Sequence, residues 1–402
     1  MEAHKYKNLY FIALSITIIV FAFADTVNSF LMPRSGGDEY PKFSIYFRMF
    51  FEVCVVCWLI FYGKLHKNNL QIVAMLLSLF LMYFFGYCIF SNNTGGISPY
   101  EFIYTFNKYV FVFVCFLFVY SSMRRISFSH RKTVFKIYEL VIYAYCFCAV
   151  VLGFVLKIPQ FFTYGEIGKR FGFIGIIPAQ NEASLFIIVA LFYGCFVYKQ
   201  EKRLLPLMAA FISGILLGTK AAFMASLIIP AWFMLKFYPR IGRAVVITVL
   251  VCVAIIATIY SSLIVEYLYS LEVLSYFIYR LDKGVDILSV FLSGRDTFLE
   301  DRFFWNLSLY GNINFLFGGG KLTLIEMDFF DAFLDFGLLG SVIYLMVYFI
   351  MFGNISKEYK FFFSLLFFSA AALGGHIFWS AVNSIYISLF ICKSKPDIGG
   401  IA

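Results

Sequence analysis

Between Arg203 and Lys236 the chain carries one formal charge, Lys220, in an otherwise oily run. A helix that crosses the roughly 30 Å hydrocarbon core of a bilayer needs about 20 mostly apolar residues. Stretches of this kind recur along the whole 402-residue chain. Only 14% of the residues are charged and 62% are apolar, whereas soluble domains carry about 25% charge. A water-soluble globule is therefore excluded. A transmembrane β-barrel is excluded too, because its strands alternate apolar and polar positions over about 10 residues and these runs are continuous. The expected fold is an all-α polytopic membrane protein, with residues 1–402 forming a single integral membrane domain.

About twelve spans can be placed, near 8–31, 43–62, 70–90, 102–122, 134–156, 182–198, 204–218, 221–237, 244–265, 329–352, 361–375 and 378–392. Gly218-Thr219 and Gly374-Gly375 interrupt the seventh/eighth and eleventh/twelfth pairs at their midpoints, as turns between two helices would. With twelve spans, the basic loops (Lys64/Lys67, Arg124/Arg125/Arg131/Lys132, Lys199/Lys202/Arg203, Lys236/Arg240/Arg243, Lys357/Lys360) fall on one face. Both termini join them, and the positive-inside rule makes that face cytoplasmic. The net charge of +9 is thereby assigned to topology, and no nucleic-acid partner is expected. Lys5, Lys7 and the Ala22-Phe23-Ala24 stretch resemble a cleavable signal peptide; resumption of the apolar pattern from Val27 to Met32 favours an uncleaved first span. The nine cysteines fall in apolar runs and read as buried small hydrophobes. Cys54-x-x-Cys57 has no second pair or nearby His, so no metal site is expected.

The opposite face holds one large loop, about 266–328, between spans nine and ten. Leu268, Leu271, Leu274, Phe277, Ile278 and Leu281 recur at helical spacing, which suits a helix lying on the membrane surface. Ser293-x-x-Asp296 has the form of a capping box, and Gly318-Gly319-Gly320 marks a tight turn.

The outward-facing cations draw attention next. Lys220 begins the eighth span, where a cation opposes the helix dipole. A helix N-terminus with the Thr219 hydroxyl and an ammonium is also an anion site; the alternative is a lysine that snorkels to the interface. Lys169 and Arg170 stand in KRFGFIGIIPAQNEA, Arg295 in LSGRDTF, and Arg302 and Lys321 follow. A planar guanidinium binds two phosphate oxygens at once, so cations gathered on one membrane face suit a phosphate-bearing ligand. Arg302 and Lys321 are equally readable as solvated loop charges.

EMDFFDAFLDFGLLG brings Glu326, Asp328, Asp331 and Asp335 to the point where the chain re-enters the membrane. Acids at a helix start complement its dipole, but Asp335 lies beyond that reach. Glu326 and Asp328 are candidates for a general base acting on a hydroxyl. His376, in LGGHIFWSAVNS, is either structural or a substrate contact. GGGKLT is no P-loop, since Phe315 and Leu322 stand where Gly and Ser or Thr are needed. Arg48 and Glu52 are four apart, as an intrahelical pair would be; they and Lys108 equally suit a pathway through the membrane.

RFGFIGIIPAQNEAS, GTKAAFM, LSGRDTF with the later FGGG, and EMDFFDAFLDFGLLG, in that order, resemble the O-antigen polymerase and ligase superfamily of bacterial surface polysaccharide assembly. The resemblance covers about residues 165–380. It implies a GT-C-like, metal-independent glycosyltransferase with no cofactor in a Gram-negative inner membrane, working at the periplasmic face. Donor and acceptor would be undecaprenyl-pyrophosphate-linked oligosaccharides, and a chain-length regulator protein is an implied partner. Arg170, Lys220 and Arg295 would hold the departing pyrophosphate, and Asn181 would match the family's Asn at the head of its span. Glu326-Met327 replaces the His-Asn pair of the ligases, and Gly-Thr-Lys replaces a ligase-like Ser-Arg; both departures point to a polymerase. The alternatives are a ligase acting on lipid A–core and a lipid-linked oligosaccharide flippase.

Overall fold

A chain immersed in lipid has no water to satisfy its N–H and C=O groups, so it closes those bonds inside helices. In the computed structural model, which describes residues 2–31, 43–62, 67–94, 97–164, 171–244 and 294–395 with positions 286, 289, 292 and 398, most residues do so. No strand occurs among the described residues; a lone antiparallel bridge joins Phe162 and Phe173.

The helices include α1 (Glu2–Leu31), α2 (Phe43–Tyr62), α3 (Lys67–Thr94), α4 (Pro99–Arg125), α5 (Phe128–Phe147), α6 (Gln180–Glu201), α7 (Leu205–Leu216), α8 (Lys220–Phe237), α9 (Asn312–Phe317), α10 (Asp328–Phe352), α11 (Lys357–Leu373) and α12 (Ala381–Ser394), with short helical pieces at Arg295–Phe298 and Phe304–Ser308 between α8 and α9. Seven described helical stretches are long and apolar enough to cross a membrane: Lys7–Ala24, Asn69–Ser91, Pro99–Arg125, Phe128–Val155, Gln180–Glu201, Lys220–Phe237 and Asp328–Phe352. That is the make-up of a membrane-embedded helical protein. Helices α7 and α12 are apolar but shorter. At 1.5 Å per residue the 12 residues of α7 reach only about 18 Å, short of a full hydrocarbon core.

Local sequence explains several boundaries. Ser98 caps α4 in a reciprocal box with Glu101, and Pro99 sits in its first turn. Thr219 caps α8 by accepting the Ala222 N–H. Gly218, at φ +71°, makes the preceding bend, so the 204–237 run forms two helices as its Gly-Thr midpoint predicts. The ninth span, but for its first residue, and the 268–281 periodicity lie outside the described residues, as does Ser293. The helix after Ser293 is capped by Gly294 at φ 83°, with no side-chain cap bond. The eight described cysteines are free thiols; Cys252 lies outside.

The chain divides into two compact units, Met1–Tyr138 with Leu292–Ala402, and Glu139–Phe291. In the first, α4 and α12 are each buried along most of their length and pack together. Rings of Tyr109, Phe336, Tyr344, Tyr348 and Phe378 pack in mostly edge-on contacts at their centre, the geometry aromatic quadrupoles favour. In the second unit α6 is buried from Ala183 to Val197 between α7 and α8. Gly194 lets α7 approach: a Cβ there would stand 2.6 Å from the Leu207 Cα. Buried Glu139 takes both guanidinium nitrogens of Arg203, at 2.6 and 2.7 Å, and the Tyr193 hydroxyl at 3.0 Å.

Candidate functional site: a broken acidic helix and its two loops

Asp328, Asp331 and Asp335 are three and four residues apart, which places them on one face of α10. All three are buried. Buried carboxylates must be paired or hydrogen-bonded, and each of these is. The Lys321 ammonium contacts the Asp335 carboxylate, lies 3.6 Å from Asp331 Oδ1 and bonds the Asp331 carbonyl at 3.4 Å. The Ile325 N–H donates to Asp331 Oδ1 at 3.0 Å.

Two residues after Asp335 the helix breaks. Gly337 adopts φ 65°, ψ −172° inside α10, a conformation open to glycine and costly to any residue with a Cβ. The break strips α10 carbonyls of their helical partners, and neighbouring groups replace them. Gly319 N–H donates to Asp335 O at 3.1 Å, Gly320 N–H to Leu334 O at 3.3 Å, and Ser341 Oγ to Ala332 O at 3.2 Å. The Tyr310 hydroxyl adds a bond to Leu334 O. The triglycine turn is thus the cap of a broken helix. Asn314 fastens it to α3 by donating to Gly86 O at 3.0 Å and Gly318 O at 2.8 Å.

Asp328 does a different job. Its two oxygens accept the backbone N–H groups of His376, Ile377 and Phe378 at 2.7, 2.6 and 2.8 Å. Asp328 N–H in turn donates to Gly374 O at 3.2 Å. The loop before α10 and the loop before α12 are zipped together, and a Cβ on Gly375 would press on the Glu326 backbone at 3.0 Å. Two non-glycine residues at this seam have left-handed backbones, Glu326 (φ 64°) and His376 (φ 71°). Such strain, on the order of 1–3 kcal/mol each, clusters at functional sites and needs surroundings that over-determine it; the Asp328 clamp provides them.

Side chains on the outer side of this seam are accessible. Glu326 is 42% exposed and its Oε2 lies 4.0 Å from Arg295 Nε. Arg295 also donates to Leu373 O at 3.2 Å. The exposed His376 ring stacks on Trp379, with centroids 5.1 Å apart. Lys108, from α4, places its ammonium 4.1 Å from the Tyr104 ring and 5.1 Å from the Trp379 ring. Lys321 lies 5.5 Å from that same Trp379 ring. Partial burial and then the Lys108 charge lower the His376 pKa; Glu326 and Asp331 oppose them.

Of the candidates read from sequence in this unit, Arg295, Glu326 and His376 come together at the open seam. Asp328, Asp331 and Lys321 form the buried frame beneath it, so Asp328, a candidate base on sequence grounds, has both oxygens committed to the 376–378 turn. Arg302 is likewise engaged. It lies 3.7 Å from the Phe298 ring and donates to Leu324 O at 2.9 Å, beside Asn306, which bonds Thr323 and Leu322.

The other candidates belong to the second unit. Ser184 and Thr219 share a hydroxyl bond of 2.7 Å, and Asn181 lies one turn before Ser184 on α6. Thr163 Oγ1 donates to Leu217 O at 2.8 Å, Gln180 Nε2 to Thr163 O at 2.7 Å, and the Tyr164 hydroxyl to Gly218 O at 3.3 Å. Gly218 fits only because it has no side chain; a Cβ would meet Phe171 O at 2.2 Å. Thr219 and Lys220 therefore open α8 at a braced corner, with Lys220 half-buried. Lys169 and Arg170 lie outside the described residues.

No protein-family model, curated protein or solved structure matches the chain.

The site's chemistry therefore rests on its own residues. Among the described residues no group of three or more His, Cys, Asp or Glu could hold a metal ion. The open seam can bind an anion through Arg295 and can accept a proton at Glu326. Sequence reading named Asp335 as an acid beyond the reach of the helix dipole and Lys108 as a within-span charge, and it missed Trp379 and Tyr109, whose ring lies 5.8 Å from the Lys321 ammonium. Asp335 had a legible signal, its spacing of three and four from the other two acids. Trp379 and Tyr109 had none, because their place comes from packing between distant segments.

Proposed function

We propose that this chain is an O-antigen polymerase, a glycosyltransferase that joins undecaprenyl-pyrophosphate-linked oligosaccharide units at the periplasmic face of a Gram-negative inner membrane. The proposal includes a twelve-span, GT-C-like topology with both termini cytoplasmic. One observation carries it: an exposed carboxylate, Glu326, in a strained backbone conformation, faces Arg295 on a loop seam clamped by Asp328. That arrangement suits acyl-free group transfer from a phosphate leaving group. Glu326 would take the proton of the acceptor hydroxyl as that oxygen bonds the donor sugar's anomeric carbon. The bond from that carbon to the pyrophosphate oxygen breaks, and cations stabilise the departing charge. At this seam Arg295 supplies such a cation. Metal independence follows from the family resemblance. The lipid-linked donor and acceptor fit a site borne on membrane helices.

The test is a lipopolysaccharide gel from cells carrying Glu326→Gln or Arg295→Ala in place of the wild-type chain, with membrane levels checked by blot. The expected pattern is core capped by a single repeat unit. Long chains at wild-type abundance from both variants would overturn the proposal, and bare core would identify a ligase. The flippase reading draws on one feature, the helix break beside a buried Lys321–Asp335 pair, since transporters place such pairs on discontinuous helices. Transfer of lipid-linked units across vesicles by the purified protein would decide for it.

A further inference from the structure

We infer that residues 311–325 form a re-entrant element that dips into the hydrocarbon layer, with Ile313, Phe315 and Leu316 packed against lipid chains. On sequence grounds this segment belongs to a loop outside the membrane; the inference is independent of the proposed enzymatic function.

Three observations carry it. The first is depth. The backbone at Leu316–Gly318 is wedged between Gly86 of α3 and Gly337 of α10: a Cβ on Gly86 would stand 2.6 Å from Gly318 O, and one on Gly337 2.3 Å from Gly318 N. Gly86 lies eight residues before the end of α3 at Thr94, and Gly337 nine residues after the start of α10 at Asp328. At 1.5 Å per residue the tip sits about 12–14 Å from those helix ends, well within helices whose apolar windows are Asn69–Ser91 and Asp328–Phe352.

The second is bonding. Non-helical backbone survives at membrane depth only where its polar groups are satisfied within protein. Around the turn, Gly318, Gly319 and Gly320 N–H groups donate to Asn314, Asp335 and Leu334 carbonyls, and Asn314 caps the Gly86 and Gly318 carbonyls. The third is surface. Ile313, Phe315 and Leu316 are 43%, 44% and 38% exposed, while Asn314 between them is fully buried, the reverse of the pattern that water selects. This apolar face continues that of the flanking spans: half-exposed Phe85 of α3 contacts Phe317, and exposed Leu338 and Leu339 follow Gly337. Exposed Phe304 and Trp305 lie just before the element, where an aromatic pair suits the membrane interface. The consequence is that Lys321 is delivered to Asp335 from the membrane side, on the rising limb of the turn.

The test uses the full-length protein in phosphatidylcholine vesicles, with bromine carried either near the glycerol end or near the middle of the acyl chains. Phe315→Trp adds a reporter at an exposed position, and its fluorescence is the difference from the wild type; Leu316→Trp repeats the measurement. The expected result is loss of the added intensity with brominated lipid and protection from aqueous iodide. The native Trp305, read by difference against Trp305→Phe, should respond most to the shallow bromine. Iodide quenching of the added indoles equal to or greater than that by brominated lipid, at both 315 and 316, would overturn the inference.

Discussion

Asp328 accepts the Ile377 backbone N–H at 2.6 Å, across 49 residues of chain, and its other bonds extend the grip to His376 and Phe378. A buried N–H left without an acceptor costs about 1–3 kcal/mol. Asp328→Ala strands three of them, so it should lower stability by roughly 3–9 kcal/mol, and Asp328→Asn by less. Thermal unfolding in detergent checks this. A folded Asp328→Ala protein with unchanged melting but no activity would instead show that the carboxylate acts in chemistry.

Lys321 and Asp335 form a buried ion pair, and such pairs tolerate the loss of both charges better than the loss of one. Lys321→Met leaves a buried carboxylate uncompensated and should cost about 3–5 kcal/mol. Asp335→Leu should cost a similar amount. Removing both charges together should recover much of the loss, because a well-packed apolar pair replaces two desolvated ions. A double-mutant cycle on unfolding midpoints reads this directly. Strict additivity of the two single effects would mean that the pair is not coupled.

Gly337 and Gly311 make a matched control. Gly337 has φ +65° with Gly318 N 2.3 Å from a built Cβ, whereas nothing lies within 4 Å of one at Gly311. Gly337→Ala combines backbone strain of about 1–3 kcal/mol with a backbone collision, and should lower the folded yield sharply. Gly311→Ala should stay within about 0.5 kcal/mol of wild type. Comparable melting of both variants would contradict the helix break.

The helical, membrane-embedded character was legible because charge-poor runs of span length admit few other solutions, and the bend at Gly218-Thr219 was legible because glycine beside a capping threonine is a local signal. The acid-rich stretch at 326–335 was visible as well. Its division of labour was not: whether a carboxylate faces solvent or a backbone turn depends on where residues 374–378 return, some 50 residues later. The same holds for Lys321, a solvated loop charge by its immediate neighbours yet only 9% exposed beside Asp335. The re-entrant turn escaped detection because triglycine reads only as a bend until Gly86 and Gly337 are seen on either side of it. Sequence also gathers Arg170, Lys220 and Arg295 by type. Lys220 and Arg295 lie in separately described units, and Arg170 lies outside the described residues.

His376 links the seam to pH. Partial burial against Trp379, followed by the nearby Lys108 charge, holds its pKa below the ordinary histidine value. The unfolded chain, with a histidine near pKa 6.5, therefore binds the proton more readily than the folded one. By linkage, stability from this residue is fully present above pH of about 6.5 and is lost as pH falls through the lower folded-state value. Melting temperature measured from neutral pH downward should fall more steeply for the wild type than for His376→Gln, with the curves converging in slope above neutrality. Lys108→Met removes one of the three lowering causes, the others being burial and the Arg295 charge, so its His376 should titrate closer to the unfolded value and the extra slope should shrink. Parallel curves for wild type and His376→Gln across that window would remove His376 as the source of pH sensitivity at the seam.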